Sequence, residues 1–348
     1  MKAIVIEEPG DVDVMKYVDV PDPKVAARDV LIEIDSCGVC FHDIVTRNGV
    51  LKRGIEMPLI PGHEISGTVS EVGSEVRDFR PGDRVATVQR FHVCGCCAQC
   101  RTGHETLCSD QKFLGDVGLV GGYAEYVCVE HDNVAKVPPE VPLEQAAITA
   151  CAFGTVFNAM REVGNVKAGE TVLVTGSGGG LGMHAVQFAR VQGAFVIAQT
   201  TSRGKVSQLQ NLGAHEVVLH ERGEDFSDQV RSITQGVGVN VVVDNVGSIL
   251  FEPIRRSLAV GGRWILIGQL GGDFVPFNPA QLFFKRISML SATSTTRLQL
   301  EQCLEIVSRG QVTPVVSKIL PLSQAREAHS LVEKAKVAGR IVLKPQAD

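Results

Sequence analysis

Read as hydrophobic and polar positions, the chain changes rhythm near residue 143. Before it, short runs rich in β-branched residues predict strands at Lys2–Ile6, Val30–Asp35, Ser66–Val72, Arg84–Val88 and Tyr123–Val129. Pro61-Gly62, Pro81-Gly82 and Gly121-Gly122 punctuate them. After it, Glu144–Arg161 has helical spacing, and apolar strands then alternate with helices. Thr171–Thr175 reads as a strand, Leu181–Gln192 as a helix, Phe195–Ala198 as a strand and Lys205–Leu212 as a helix. Val217–Leu219, Phe226–Thr234, Val239–Val243, Leu250–Ala259 and Trp264–Ile267 continue the alternation. Near-continuous apolar strands in that rhythm are the mark of a doubly wound parallel sheet, so the expected fold class is α/β, with a β-rich domain beside the sheet. From about residue 290 the chain leaves the sheet, with helices at Leu298–Ser308 and Ser323–Lys336 and a last strand at Arg340–Leu343.

Composition narrows the class. A chain of 348 residues with 44% hydrophobic content suits about two well-buried domains. A net charge of −5 with scattered Lys and Arg argues against nucleic-acid partners. No apolar run reaches the roughly 18 residues that span a bilayer, so no membrane partner is expected. The opening MKAIVIEEPGD has no apolar signal region. Ten cysteines in such a chain are expected to stay reduced or bind metal, with the cytoplasm as the expected location.

The loudest chemical signal is Phe91–Cys108, FHVCGCCAQCRTGHETLC, which holds five of the ten cysteines. Cys94, Cys97, Cys100 and Cys108 are spaced C-x2-C-x2-C-x7-C, and four thiolates so close together can wrap one zinc tetrahedrally in a closed structural site. The rival, a disulfide cluster, needs an oxidising compartment. Cys96 breaks the spacing and reads as a neighbour, while Cys37, Cys128 and Cys303 read as ordinary thiols.

A second, open site needs about three protein ligands and a position left for water or substrate. Cys40, His63 and Cys151 would supply two thiolates and an imidazole, and Glu64 either ligates when the substrate position is empty or sits behind the metal. Asp43 would accept the other ring N–H of His63 and fix its tautomer. Taken singly, each is as readily a plain core residue, since a lone buried Cys is more often an inert hydrophobe.

Thr171–Gly182, TVLVTGSGGGLG, is an apolar strand followed by a glycine cluster and a helix. Glycines let backbone approach a pyrophosphate, and a helix N-terminus favours its charge. Gly176, Gly179 and Gly182, with Gly180 and Leu181 between them, fit a G-x-x-G-G-x-G form rather than the strict G-x-G-x-x-G. At the end of the next strand an NAD enzyme places a carboxylate for the ribose 2′-hydroxyl. Here the chain reads Gln199, Thr200, Thr201, Ser202, Arg203, Gly204 and Lys205, hydroxyls and two cations that suit a 2′-phosphate. NADP(H) is therefore expected over NAD(H); otherwise Arg203 and Lys205 simply begin a solvated helix face.

Gly62-His63-Glu64-x2-Gly67-x5-Gly73, the GVC-x-x-D stretch, the four-cysteine lobe, Cys151 and the terminal Gly339-Arg340-Ile-Val-Leu-Lys occur together and in order. In this the whole chain resembles the zinc-containing alcohol dehydrogenases of the medium-chain dehydrogenase/reductase superfamily. Ser291-Ala292-Thr293 and the aromatic Phe41 after Cys40 also resemble a subgroup with the acryloyl-CoA reductases.

The resemblance implies a GroES-like catalytic domain over 1–152 and 291–348, carrying the zinc lobe at 91–108, and a Rossmann-type dinucleotide-binding domain over 153–290. It implies one catalytic and one structural zinc per chain. It sets Asn245, Val246, Gly268 and Gln269 along the adenosine and nicotinamide ends of the cofactor, and Arg340 at its pyrophosphate. It implies a small-molecule substrate and a homodimer or homotetramer. The expected activity is hydride transfer between NADP(H) and an alcohol or carbonyl polarised by zinc, or alternatively reduction of an activated C=C bond of an enoyl thioester. One departure matters. Where the family carries Ser or Thr and then His as a proton relay, this chain has His42 and Val45. Either His42 is the general acid/base, or it binds a phosphate or packs beside Asp43.

Overall fold

The computed structural model describes residues 1–270 and 273–347. These form two compact units: Met1–Gly154 with Ser294–Gly310 and the chain from Pro314, and Thr155–Thr293 with Gln311–Thr313.

The first unit is built on a seven-stranded sheet ordered Val316–Pro321, Arg340–Lys344, Asp29–Val39, Glu64–Val72, Arg84–Thr87 and Val134–Lys136, with Tyr126–Glu130 also pairing to Asp29–Val39. Along Asp29–Val39, Val30, Ile32 and Ile34 face the core while Glu33 faces solvent, the alternation of a half-buried strand. That alternation ends at Ser36. From there to Val39 every residue is buried, because helix Leu143–Ile148 packs over this end of the sheet. Antiparallel register sets Gly38 opposite Glu64 and Val39 opposite Ile341. Three strand ends, carrying Cys40, Glu64 and Arg340, therefore meet at one place.

The second unit holds a six-stranded parallel sheet ordered Glu216–Leu219, Phe195–Thr200, Thr171–Val174, Val239–Asp244, Leu258–Leu266 and Ser288–Ser291. In chain order that is 3-2-1-4-5-6, the doubly wound topology whose strand order reverses between the first and fourth strands. Leu173, Ile197, Val242 and Trp264 are its buried centre.

Several elements depart from the hydrophobic pattern. Phe41–Arg47 is a helix despite its β-branched Ile44-Val45-Thr46 run, because the Asp43 carboxylate accepts the Cys40 N–H and closes the first turn. Glu144–Arg161 is not one regular helix: α-helical Leu143–Ile148 widens into π-helical turns at Thr149–Gly154 and Asn158–Val163. Leu258 and Ala259 open a strand rather than close a helix. The short edge strand Ser288–Ser291 extends the parallel sheet where the pattern was too brief to register. Among the described residues no helix is long and apolar enough to cross a membrane.

Candidate functional site

Cys40 caps the helix Phe41–Arg47, His63 precedes and Glu64 opens the strand Glu64–Val72, and Cys151 lies in the π-helical turn Thr149–Gly154. A π turn re-aims one side chain without ending the helix, which is why such turns gather at functional positions. Gly62 precedes His63 with φ +99, and a Cβ there would meet the Tyr123 ring at 2.5 Å, so the sharp entry to His63 requires glycine. One donor atom each from Cys40, His63, Glu64 and Cys151 lies within 4.8 Å of the others. The two sulfurs are 3.9 Å apart. A tetrahedral zinc with bonds of about 2.3 Å to sulfur sets its sulfurs about 3.8 Å apart.

The electrostatics fit a cation. Neither carboxylate oxygen of the fully buried Glu64 has a hydrogen-bond partner among the described residues. The Arg340 guanidinium reaches 3.1 Å from Glu64 Oε1, an ion pair without hydrogen-bond geometry, and 3.4 and 3.8 Å from the sulfurs of Cys40 and Cys151. Burial pushes Glu64 up to about 7 although Arg340 opposes it. The Cys151 S–H and Arg340 favour the thiolate at Cys40, whereas facing that thiolate and being buried push Cys151 up. A buried carboxylate without a hydrogen-bond partner, beside two sulfurs that share one proton, is a donor set that a divalent cation would satisfy. Arg340, expected at the pyrophosphate, turns its guanidinium toward this donor set.

Around these groups, Asp43 Oδ1 lies 3.1 Å from His63 Nδ1. Burial works against the Asp43 charge, but the His63 ring holds it below the usual carboxylate range. His42, less buried, stands with its ring 5.1 Å from those of both His63 and Phe113. Its Nε2 is 2.8 Å from Asp116 Oδ1, which also accepts the Thr46 hydroxyl at 3.4 Å. Asp116 carries no signal in the sequence. It is 74 residues from His42, in a loop with no motif of its own, and only the fold brings the pair together.

Cys94, Cys97, Cys100 and Cys108 form the second donor cluster, with Cys94–Cys100 and Cys94–Cys108 sulfur separations of 4.0 and 3.6 Å; the exposed Cys96 is outside it. The backbone N–H groups of Cys96 and Cys97 draw Cys94 down to about 6, while burial and its thiol neighbours push Cys100 up to about 12. Four thiolates at this spacing would repel one another, and a cation among them would remove that repulsion. Beside them the buried Arg90 donates to Ser294 Oγ at 2.6 Å and to the Thr295 carbonyl at 2.7 Å. Thr295 Oγ1 in turn donates to the Ala150 carbonyl at 2.7 Å, one residue before Cys151.

In the second unit, the glycine loop after Thr171–Val174 leads into the helix Gly180–Val191, at the reversal of strand order. A Cβ on Gly182 would lie 2.4 Å from the Gly176 carbonyl, so the helix start packs on the loop only with glycine there. Asn245 and Val246 follow the fourth strand across this reversal, and Asn245 Nδ2 donates to the Thr175 carbonyl at 2.7 Å. Gly268 and Gln269 follow the fifth strand, with Gln269 Oε1 accepting the Ser248 N–H at 2.8 Å. Lys205 Nζ donates to the Gly178 carbonyl at 2.9 Å, so it belongs to the glycine loop rather than to the strand end. Thr201 and Arg203 line a cavity of about 200 Å³ with Leu219, His220, Glu221 and Glu224. Two carboxylates from beyond the third strand thus share the cavity, although none follows the second strand. Thr200 and Ser202 flank Thr201, and the Ser202 N–H donates to Thr200 Oγ1 at 3.1 Å.

Two family models match the chain, the alcohol dehydrogenase GroES-like domain over residues 26–139 and the zinc-binding dehydrogenase over 180–309. Acryloyl-coenzyme A reductase of Sulfurisphaera tokodaii is 31% identical over 346 residues, 99% of this chain and 100% of that protein. NAD-dependent alcohol dehydrogenase of Sulfolobus acidocaldarius is 32% identical over 351 residues, 99% of each. The crystal structure of AibC matches with a TM-score of 0.92 and 41% identity, covering 99% of this chain and 95% of that one.

Proposed function

We propose, for a chain that belongs to the zinc-containing alcohol dehydrogenases of the medium-chain dehydrogenase/reductase superfamily, that it interconverts a small alcohol and its carbonyl with NADP(H) and a catalytic zinc. It is an oxidoreductase with GroES-like and Rossmann-type domains. The observation that carries the rest is the convergence of Cys40, His63, Glu64 and Cys151 on one buried point. Bound zinc supplies Lewis acidity toward a substrate oxygen, and bound nicotinamide supplies or accepts hydride.

Cys40, His63 and Cys151 hold the metal, and Glu64 serves as the exchangeable fourth donor, balanced by Arg340 when it is displaced. Asp43 keeps the proton on His63 Nδ1. Cys94, Cys97, Cys100 and Cys108 hold a structural zinc. In the reducing direction the carbonyl carbon gains hydride and its oxygen gains a proton. His42 gives that proton: with Asp116 accepting from Nε2, its Nδ1–H is the one available for transfer, and Nδ1 takes it back in the oxidising direction. Gly176, Gly179, Gly180, Leu181 and Gly182 form the pyrophosphate cradle. Asn245, Val246, Gly268 and Gln269 line the rest of the cofactor.

Thr201 and Arg203 favour a 2′-phosphate, whereas Glu221 and Glu224 on the same cavity favour a ribose diol. We take Arg203 to dominate, because a guanidinium can pair bidentately with phosphate. Arg203→Ala should then raise the Michaelis constant for NADPH about tenfold and leave that for NADH within about twofold; an equal effect on both removes the preference. Exposed Phe274, Phe283, Phe284 and Met289 lie in and before the edge strand Ser288–Ser291. They support pairing of two copies along that edge, to be read by light scattering of the purified protein.

The second reading is reduction of an activated C=C bond, with hydride to the β-carbon and a proton to the α-carbon of an enoyl thioester. His42 in place of the hydroxyl relay favours it, as does the likeness to an acryloyl-coenzyme A reductase. Rates with aldehydes against enoyl-CoA thioesters separate the two.

A further inference from the structure

Arg47, His329 and Tyr123 are fully buried in the first unit, and no part of the chemistry above uses them. They form a line of hydrogen bonds whose direction is fixed at one end. A guanidinium only donates. Arg47 Nε donates to the Gly10 carbonyl at 3.1 Å and Nη2 to Glu333 Oε1 at 2.5 Å, so Nη1, 3.2 Å from His329 Nδ1, makes that nitrogen the acceptor. Burial holds His329 down to about 4, and the ring is neutral. A neutral imidazole that accepts at Nδ1 carries its proton on Nε2, which faces Tyr123 Oη at 3.1 Å. Tyr123, having accepted from His329, turns its one proton to Asp43 Oδ2 at 3.4 Å. The same oxygen accepts the Cys40 N–H at 2.8 Å, and the other carboxylate oxygen faces His63 Nδ1 at 3.1 Å.

We infer that Arg47, His329 and Tyr123 are positioning residues for the metal site: they hold Asp43 in the orientation that keeps the proton on His63 Nδ1 and leaves Nε2 free to ligate. The inference rests on the proposed metal site. Glu333, a third exposed on the helix Ala325–Glu333, anchors the outer end of the line. Asp43 and His63 are 80 and 60 residues from Tyr123, and His329 is 206 residues from it, so the line exists only in the fold. Partners behind a metal ligand change metal affinity by about 10- to 100-fold when removed. Tyr123 acts one step further back, through a long contact, and about 3- to 10-fold is expected of it.

The test compares zinc release to a chromogenic chelator from the zinc-loaded full chain and from Tyr123→Phe, which keeps the ring packing and removes only the hydroxyl. The four-cysteine cluster serves as the internal control. The expected result is release from the Cys40/His63/Cys151 cluster about 3- to 10-fold faster, with release from the control unchanged. The visible spectrum of cobalt bound in the first cluster should shift. Adding His329→Leu to Tyr123→Phe should speed release little further, since one line is already cut. Two zincs per chain with both releases unchanged in Tyr123→Phe, or equal acceleration at both clusters, overturns the inference. A parent chain that binds zinc only at the four-cysteine cluster overturns the metal-site proposal itself.

Discussion

At the level of single residues, His42 and Asp116 carry the most specific prediction. If His42 transfers the proton, His42→Ala lowers turnover by about 10²-fold or more and flattens the pH profile, with metal content intact. Asp116→Asn, which keeps the shape and one acceptor but removes the negative charge facing the ring, costs about tenfold in turnover and little in Michaelis constant. Unchanged turnover in His42→Ala leaves the residue a packing role. His329 gives a second prediction, on stability. Burial, opposed by Asp43 and reinforced by Arg47, sets its folded-state value at about 4 against an ordinary value of about 6.5. Between those values the unfolded chain binds the extra proton, so the stabilisation is whole above about pH 6.5 and is lost as pH falls toward 4. The loss between pH 7 and pH 5 is about 2 kcal/mol. Urea unfolding at the two pH values should show it in the parent and show a smaller drop in His329→Gln.

What could be read from the sequence at this scale followed spacing. Cys94, Cys97, Cys100 and Cys108 stand within one short stretch, and Asp43 stands three residues from Cys40, so local chemistry announces them. Asp116, Tyr123 and His329 are ordinary residues in ordinary contexts, and their partners are brought to them by sheet register and helix packing.

Among the elements, the two that matter most chemically are short or irregular. The helix Phe41–Arg47 is seven residues long and rich in β-branched side chains, and a side chain from its own third residue closes it. The π-helical turn at Thr149–Gly154 cannot be seen in a hydrophobic period of 3.6. Its carbonyl at Ala150 is held by Thr295 and Gln89, so the Cys151 turn is tied to the segment that Arg90 grips beside the four-cysteine lobe. The parallel sheet was plainer, because strands such as Val239–Asp244 are apolar almost throughout and lie between longer helical stretches. The glycine loop that follows its first strand makes a sharp prediction. Gly182→Ala puts a Cβ 2.4 Å from the Gly176 carbonyl, so cofactor affinity should fall at least about tenfold by equilibrium binding. Zinc content should not change, since the eight proposed metal donors all lie in the other unit. Cofactor binding at parental strength would mean that the pyrophosphate does not sit on this loop.

For the whole molecule, membership in the zinc-containing alcohol dehydrogenases was legible from motifs that run the length of the chain, and the choice of bond to be reduced was not. That choice depends on what stands beside the metal donors, and there this chain replaces a hydroxyl by His42. Cofactor preference is open to the same kind of competition, with Arg203 set against Glu221 and Glu224 around one cavity.

The measurement that bears most directly on the central claim is the initial rate of NADPH oxidation by the purified full chain, with a panel of aldehydes and ketones and a panel of enoyl-CoA thioesters. Each panel is run before and after selective removal of zinc from the Cys40/His63/Cys151 cluster, with zinc counted in both samples. The account predicts turnover with carbonyl substrates, two zincs per chain at the start, and loss of that turnover when one zinc is removed and its return when zinc is restored. Carbonyl turnover that survives removal of that zinc, or turnover confined to enoyl thioesters, would contradict it.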